Sequence, residues 1–271
     1  MGGRLRRTVS FLSDYGLDDE FAGVVRSVIR SIAPEATVVD ISHGVAPHDV
    51  RAGALTLVRA VQYLAPGVVL AVVDPGVGTD RRAVAVSAGV DDEAVFVGPD
   101  NGLLAPAVAM IGGAVRAVEL TNPEYQLVGA GPTFSGRDVF APAAAHLCNG
   151  VDLAELGEPV DPLSLRPALM PLSRMEDGRL VAEVLWVDRF GNAQLNVGPE
   201  QVEEMGEKMT LRWGHDQVRT GRKVHTYANL KPSEIGLVVD SYGLLSVVLD
   251  RRPAAHELKL HTGDAITLEA P

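Results

Sequence analysis

Two nearly unbroken apolar runs, VVLAVV at residues 68–73 and AVFVG at residues 94–98, constrain this chain more than any other feature, and each is soon followed by an aspartate. Runs so short and so apolar leave no polar face for water, so they fit strands covered on both sides. Strand-like stretches at residues 8–12, 37–41 and 68–73 alternate with helical-period stretches at residues 18–32 and 50–63. That rhythm predicts an α/β layer built on parallel strands, and such sheets hold ligands at the carboxyl ends of their strands. Asp14, Asp74 and Asp100 all follow such ends.

The pattern changes past the middle of the chain. Residues 161–174 (DPLSLRPALMPLSR) carry three prolines and no period, which reads as a connection. Beyond it, residues 178–187, 208–213, 235–239, 244–249 and 265–269 are strand-like and separated by Gly or Asn turns. The expected organisation is an α/β N-terminal domain over residues 1–165, a linker over 166–174 and a smaller, mainly β domain over 175–271. A length of 271 residues suits two domains, and no repeat period suggests a solenoid or propeller.

Composition excludes several functions. A formal charge of −11 opposes binding to a phosphate backbone unless basic residues cluster, and only Arg4, Arg6 and Arg7 do so. Cys148 is the one cysteine, so no internal disulfide or Cys-based zinc site is expected. His43 and His48 stand five residues apart, off a common helical face, which speaks against metal ligation. The start has no signal-peptide pattern, because Ser13-Asp14 interrupts the first apolar stretch. No run reaches the ~18–20 apolar residues of a membrane span. A cytoplasmic protein that binds neither nucleic acid nor membrane is expected.

Several segments carry groups suited to chemistry. Ser13-Asp14-Tyr15-Gly16 places a carboxylate at a strand end, where it can accept from both hydroxyls of a ribose or can cap the following helix. Asp18, Asp19 and Glu20 suit the first turn of that helix. Asp74-Pro75-Gly76 through Arg81-Arg82 combines an acid at the end of a buried strand with glycines and returning arginines: a water-positioning pair in a cleft, or a turn with surface ion pairs. The glycines there match neither GxGxxG nor a P-loop. Asp100-Asn101-Gly102 reads as a turn, and Ser135-Gly136-Arg137-Asp138 as the start of a helix with a local ion pair. Asp188 to Asn192 and Asp240 to Gly243 are turns in which the Asn192 amide could meet a purine edge and Phe190 or Tyr227 could stack on a base. There is no GxSxG elbow, and Cys148 reads as a core thiol.

Taken in series, FLSDYG, HGVAPHDVRAGA, VVDPGVGTDRR, VGPDNGLL, TFSGRDVFAP, VDRFGN and DSYGLLSV resemble the S-adenosylmethionine hydrolases and halogenases, the SAM hydroxide adenosyltransferase family. The resemblance covers nearly the whole chain. It implies an α/β domain followed by a barrel-like β domain. It further implies a homotrimer whose active sites lie between one subunit's N-domain and its neighbour's C-domain, with S-adenosylmethionine as substrate and no metal or redox cofactor. The implied reaction is attack on C5′ with release of methionine.

By position in those motifs, the resemblance assigns Asp14 to the ribose hydroxyls, Asp188 and Ser241 to the methionine end, and Asn192 to the adenine edge. It places Tyr227 near the adenine, and His48 where some halogenases carry Trp. Asp74 and Arg81 stand where the hydroxide-using branch has Asp and Arg, and the long insertion of fluoride-using relatives before residue 94 is lacking. Water, rather than halide, is the expected nucleophile. Ser135 departs from the family, which usually has His there; a serine can hydrogen-bond a nucleophile but is no unaided base at neutral pH. Asp74, Arg81 and Ser135 form the expected catalytic set. The alternatives are a chloride-using 5′-halo-adenosine synthase and a non-catalytic S-adenosylmethionine or adenosine sensor.

Overall fold

The computed structural model describes residues 5–89 and 94–271; Arg4 of the N-terminal basic group lies outside the described residues. The chain forms two compact units, Met1–Leu169 and Met170–Pro271.

The first unit runs β1 (Thr8–Ser13), α1 (Phe21–Ile32), β2 (Thr37–Ser42), α2 (Val50–Val61), β3 (Gly67–Val72), β4 (Ala83–Ala88), β5 (Ala94–Pro99), α3 (Ala105–Met110), β6 (Ala114–Glu119), α4 (Ala141–Cys148) and β7 (Glu158–Val160). Its seven strands are ordered β2-β1-β3-β5-β4-β6-β7. The first four are parallel, as the apolar runs predict. The rest extend the sheet antiparallel, because the short stretch between Ala88 and Ala94 has no length for a crossover helix. Every residue of β3 is buried, so helices must cover both faces. Ala22, Val25 and Ile29 of α1 pack with α4 against Val9, Phe11, Leu70 and Val72. On the other face α2 packs against α3. There Gly53 approaches so closely that a Cβ would stand 2.8 Å from Leu103 Cδ1 and 3.0 Å from Val73 Cγ2.

Helix α1 begins at Phe21, so the acids at 18–20 stay exposed ahead of it, and Glu20 at the N-cap makes no side-chain capping bond. The expected helix start at residue 18 is thereby shifted. The reason is local: Gly16 takes a positive φ of 66°, and its N–H donates to the His43 carbonyl at 2.8 Å. The loop therefore bonds to the end of β2's segment before a helix can start.

The second unit contains β8 (Arg174–Glu176), β9 (Arg179–Val187), β10 (Ala193–Leu195), β11 (Lys208–Trp213), β12 (Gln217–Lys223), β13 (Ile235–Val239), β14 (Leu245–Val248), α5 (Ala254–Leu258) and β15 (Ala265–Glu269). The strand order is β10-β14-β13-β12-β11-β15-β9-β8, and β10 also pairs with β9. Seven strands thus close into a barrel, with β8 attached outside. Closure removes the free edges that an open sheet would expose. Alternate residues such as Leu180, Ala182, Val184, Met209, Leu211, Trp213, Ile266 and Leu268 fill its interior. Among the described residues no helix is long and apolar enough to cross a membrane.

Candidate active site

Strand order decides where the first unit can hold a ligand. From β1 the chain winds outward to β2, then returns across to β3 on the other side of β1 and on to β5, so the winding reverses between β1 and β3. Such a reversal opens a crevice at the carboxyl ends of the two strands. Ser13 pairs with Val72, and Asp14 and Asp74 leave these neighbouring strands at that same edge.

Asp74 is held by Arg81 through two parallel hydrogen bonds: Nε donates to Oδ1 at 3.0 Å and Nη2 to Oδ2 at 2.5 Å. Both side chains are buried, at 6% and 9% exposure for Asp74 and Arg81. The guanidinium also lies over the Phe140 ring, 5.4 Å from its centroid. Burial pushes the Asp74 carboxyl above the ordinary carboxylate range, against the opposing charge and hydrogen bonds of Arg81 and a bond from the Gly76 N–H; the charge of Asp14 pushes in the same direction as burial. The loop behind is tied down as well, since Asn101 Nδ2 donates to the Val73 carbonyl at 2.8 Å.

Asp14 does not cap α1. Its Oδ2 accepts the backbone N–H of His48 at 2.9 Å. His48 adopts a positive φ of 68°, an uncommon conformation for a non-glycine residue. His48 therefore meets Asp14 through its main chain, while its side chain is exposed. The other Asp14 oxygen accepts no hydrogen bond among the described residues. The strand end under Asp14 is pinned by a polar chain. Ser13 Oγ lies 2.7 Å from His43 Nδ1, His43 Nε2 lies 3.1 Å from Asp40 Oδ1, and Arg26 donates twice to Asp40 at 3.0 and 2.6 Å. The order Ser-His-Asp has the look of a hydrolase triad, but Ser13 is 0% exposed, so its hydroxyl cannot reach a substrate.

Ser135 sits at the N-cap of a π-helical turn, Gly136–Phe140, that leads into α4; it is half-buried and makes no side-chain capping bond. The next residue explains the tightness of this wall: the space that a Cβ on Gly136 would take is filled by the Tyr15 hydroxyl, with the Phe134 ring 3.2 Å away. Tyr15 packs among Phe11, Phe21 and Phe134 at centroid distances of 6.5, 5.6 and 5.8 Å. Burial, then the charges of Asp14 and Asp74, push its phenol far above its usual value, only partly opposed by Arg81. Arg137 and Asp138 form the expected local ion pair at 2.6 Å.

Asp100 follows a strand end too, yet it is committed elsewhere. Arg82 donates twice to its Oδ2, at 2.9 and 2.6 Å, and the Arg166 N–H donates to Oδ1 at 2.8 Å. This acid clasps residues 164–166, which Arg82 also bonds through Ser164.

In the barrel unit, Asp188 and Asp240 open two turns of the same design. Asp188 Oδ1 accepts from the N–H groups of Phe190 and Asn192 at 2.9 and 2.8 Å, and its Oδ2 from Asn192 Nδ2 at 2.8 Å. Asp240 Oδ1 accepts from Tyr242 and Leu244 at 2.8 and 3.3 Å, and its Oδ2 from Gln194 Nε2 and Ser246 Oγ at 2.7 and 2.9 Å. The turns close on Gly191 and Gly243, with φ of 82° and 79°. Strands β10 and β14, which leave these turns, pair antiparallel with Ala193 opposite Val247, so the turns lie at opposite ends of that short ladder, and the Gln194 side chain reaches from one strand to Asp240 at the other turn. Ser241 is exposed on the second turn. Tyr227, in a short helical turn at Tyr227–Asn229, lies near both: burial first, then the charges of Asp188 and Asp240, raise its hydroxyl pKa. Asp188 and Asn192 thus share the first turn, Ser241 lies on the second, and Tyr227 is within electrostatic reach of the acid of each. Among the described residues no group of three or more His, Cys, Asp or Glu side chains is arranged to hold a metal.

A model of the SAM hydroxide adenosyltransferase N-terminal domain matches residues 9–157, and a model of the C-terminal domain of the same family matches residues 182–267. This chain belongs to the SAM hydroxide adenosyltransferase family. A protein of Salinispora tropica named (R)-S-adenosyl-L-methionine hydrolase is 42% identical over 97% of each chain. One of Thermus thermophilus with the same name is 40% identical over 97% of this chain and 99% of its own. A solved structure of an uncharacterized conserved protein from Thermotoga maritima superposes with a TM-score of 0.87 at 31% identity, covering 96% of this chain and 99% of that one.

Within this family member the sequence reading passed over three contributors. Asn101, which fixes the carbonyl before Asp74, lay inside a segment read as a plain turn. Asp240 lay inside another segment read as a turn, and its partners Gln194 and Ser246 gave no local signal, since a buried network is visible only when distant strands meet. Tyr15 was hidden beside Asp14, and only the missing side chain at Gly136 hints that something large packs there.

Proposed function

We propose that this member of the SAM hydroxide adenosyltransferase family hydrolyses S-adenosyl-L-methionine to adenosine and L-methionine by attack of water on C5′. The observation that carries the reading is the buried, doubly hydrogen-bonded Asp74–Arg81 pair at the carboxyl edge of the sheet, beside Asp14 with an oxygen to spare. The names and near full-length identities of the Salinispora and Thermus relatives support it.

The substrate's sulfur is a sulfonium, so methionine departs as a neutral thioether and needs no general acid. What remains is to fix one water in line with the C5′–S bond and to exclude others. Asp74 accepts a proton from that water as the C5′–O bond forms and the C5′–S pair returns to sulfur; the proton then passes to solvent. A raised pKa makes Asp74 a better base than an ordinary aspartate, and Arg81 keeps it ionised and correctly turned. Ser135 lines the same wall as a hydrogen-bonding neighbour. Asp14 accepts from the ribose diol through its free oxygen, with the His48 segment closing over it. In the barrel, Asn192 meets the adenine edge, Tyr227 its face, and Asp188 and Ser241 the amino-acid end. No step calls for a metal or redox cofactor. The assembly that goes with this reading is a cytoplasmic homotrimer in which a neighbouring copy's barrel completes each site.

Incubation of the purified protein with S-adenosyl-L-methionine tests the reading. Equal release of adenosine and methionine, lost in Asp74→Asn, is the expected result. Formation of 5′-chloro-adenosine in chloride buffer, or saturable binding with no methionine released over hours, would replace it with a halogenase or a sensor.

A further inference from the structure

Tyr15 is a polar side chain beside Asp14 to which the reading above gives no role. Its ring is wedged among three phenylalanines, and its hydroxyl fills the space that a Cβ on Gly136 would take, next to Ser135. Among the described residues that hydroxyl makes no hydrogen bond. A tyrosine hydroxyl in such a setting ordinarily has a partner. The two neighbouring acids and Arg81 all act on it, which places it within the electrostatic reach of Asp74.

We propose that the Tyr15 hydroxyl donates a hydrogen bond to the attacking water in the hydrolysis, so that Tyr15 and Asp74 together fix that oxygen. This rests on the hydrolase reading above. Asp74 accepts one proton of the water, the phenol occupies one lone pair, and the remaining lone pair is directed at C5′. During the step the phenol keeps its own proton; the water proton goes to Asp74 and the C5′–S electrons go to sulfur. Burial and two nearby carboxylates disfavour the phenolate, which keeps Tyr15 a donor across the working pH range. Gly136 is then required for more than backbone shape, because any side chain there would displace the hydroxyl.

Tyr15→Phe retains the ring and removes only the donor. Its kcat for methionine release should fall by about 10-fold or more, while its Kd for adenosine stays within about 2-fold and its melting temperature is unchanged, a split that a packing role would not produce. Gly136→Ala, which crowds the hydroxyl without removing it, should lower kcat in the wild-type background and add little to Tyr15→Phe, because both act on one interaction. An unaltered kcat in Tyr15→Phe would overturn the inference alone, as would a loss of turnover matched by an equal loss of adenosine binding. A wild-type protein that binds adenosine but releases no methionine would overturn the hydrolase reading and the inference with it.

Discussion

The carboxylates at the sheet edge and those in the barrel turns differ in what their oxygens are already doing. An ionised carboxylate offers roughly four acceptor positions. Asp240 fills them from within its own unit, with Tyr242, Leu244, Gln194 and Ser246. Asp188 spends most of its capacity on Phe190 and Asn192. Asp14, by contrast, accepts one hydrogen bond among the described residues, from His48, and Asp74 faces Arg81 and the Gly76 N–H with its pKa raised by burial. Asp74 accepts as many bonds as Asp188, so what sets it apart is burial against a single cation, whereas Asp14 is the acid with an oxygen free to meet a ligand. In these terms the barrel presents exposed groups such as Ser241, Phe190 and Tyr242 on rigid turns, and the sheet edge holds the groups suited to chemistry.

Substitutions that respect shape but change charge can break or sharpen this contrast. The largest effect is expected for Asp74→Asn, which should lower turnover by about 10²- to 10⁴-fold, the range of a lost general base, with adenosine affinity largely retained by calorimetry. Asp14→Asn should act on binding instead, raising KM for S-adenosyl-L-methionine by about 10- to 100-fold, as for loss of a charge-assisted bond, with a smaller change in kcat. Asp240→Asn should leave kcat intact, raise KM by a few-fold and lower the melting temperature by about 2–4 °C for each kcal/mol lost, because its role is to hold a turn. A kcat effect as large as that of Asp74→Asn would erase the distinction between the two regions.

The pH profile gives a finer test. Asp74 must be ionised to accept a proton, and a raised carboxyl pKa means that the ionised form is lost at a higher pH on acidification than for an ordinary aspartate. The acid limb of kcat/KM should therefore lie above about 3.9 and shift or vanish in Asp74→Asn. Ser135→Ala should have the smallest effect, within about 10-fold in kcat, as for one neutral hydrogen bond.

Much of this architecture was legible in the residues, and the failures have physical causes. The bounds of β11, β13 and β15 coincide with stretches read from alternation, because each has one face in the barrel core. β12 was missed: QVRTGRK is polar on its exposed positions, and its buried contribution is Gly221. β8 and β10 are too short to show a period. The antiparallel β4, β6 and β7 could not be told from parallel ones by composition, because direction depends on connection length. At the sheet edge, Asp74 and Arg81 could be read as a pair because a buried strand must end somewhere and an acid there needs a partner. The choice between ligand binding and helix capping for Asp14 had no local answer; the start of α1 at Phe21 removes the second.

The central claim is that a water held at Asp74 displaces methionine from C5′, and incubation with S-adenosyl-L-methionine in ¹⁸O-water followed by mass analysis of the adenosine addresses it directly. Incorporation of one ¹⁸O atom at the 5′-oxygen, with none in the methionine, is the predicted result. Adenosine formed without the label, or no adenosine at all from protein that binds the substrate, would contradict it.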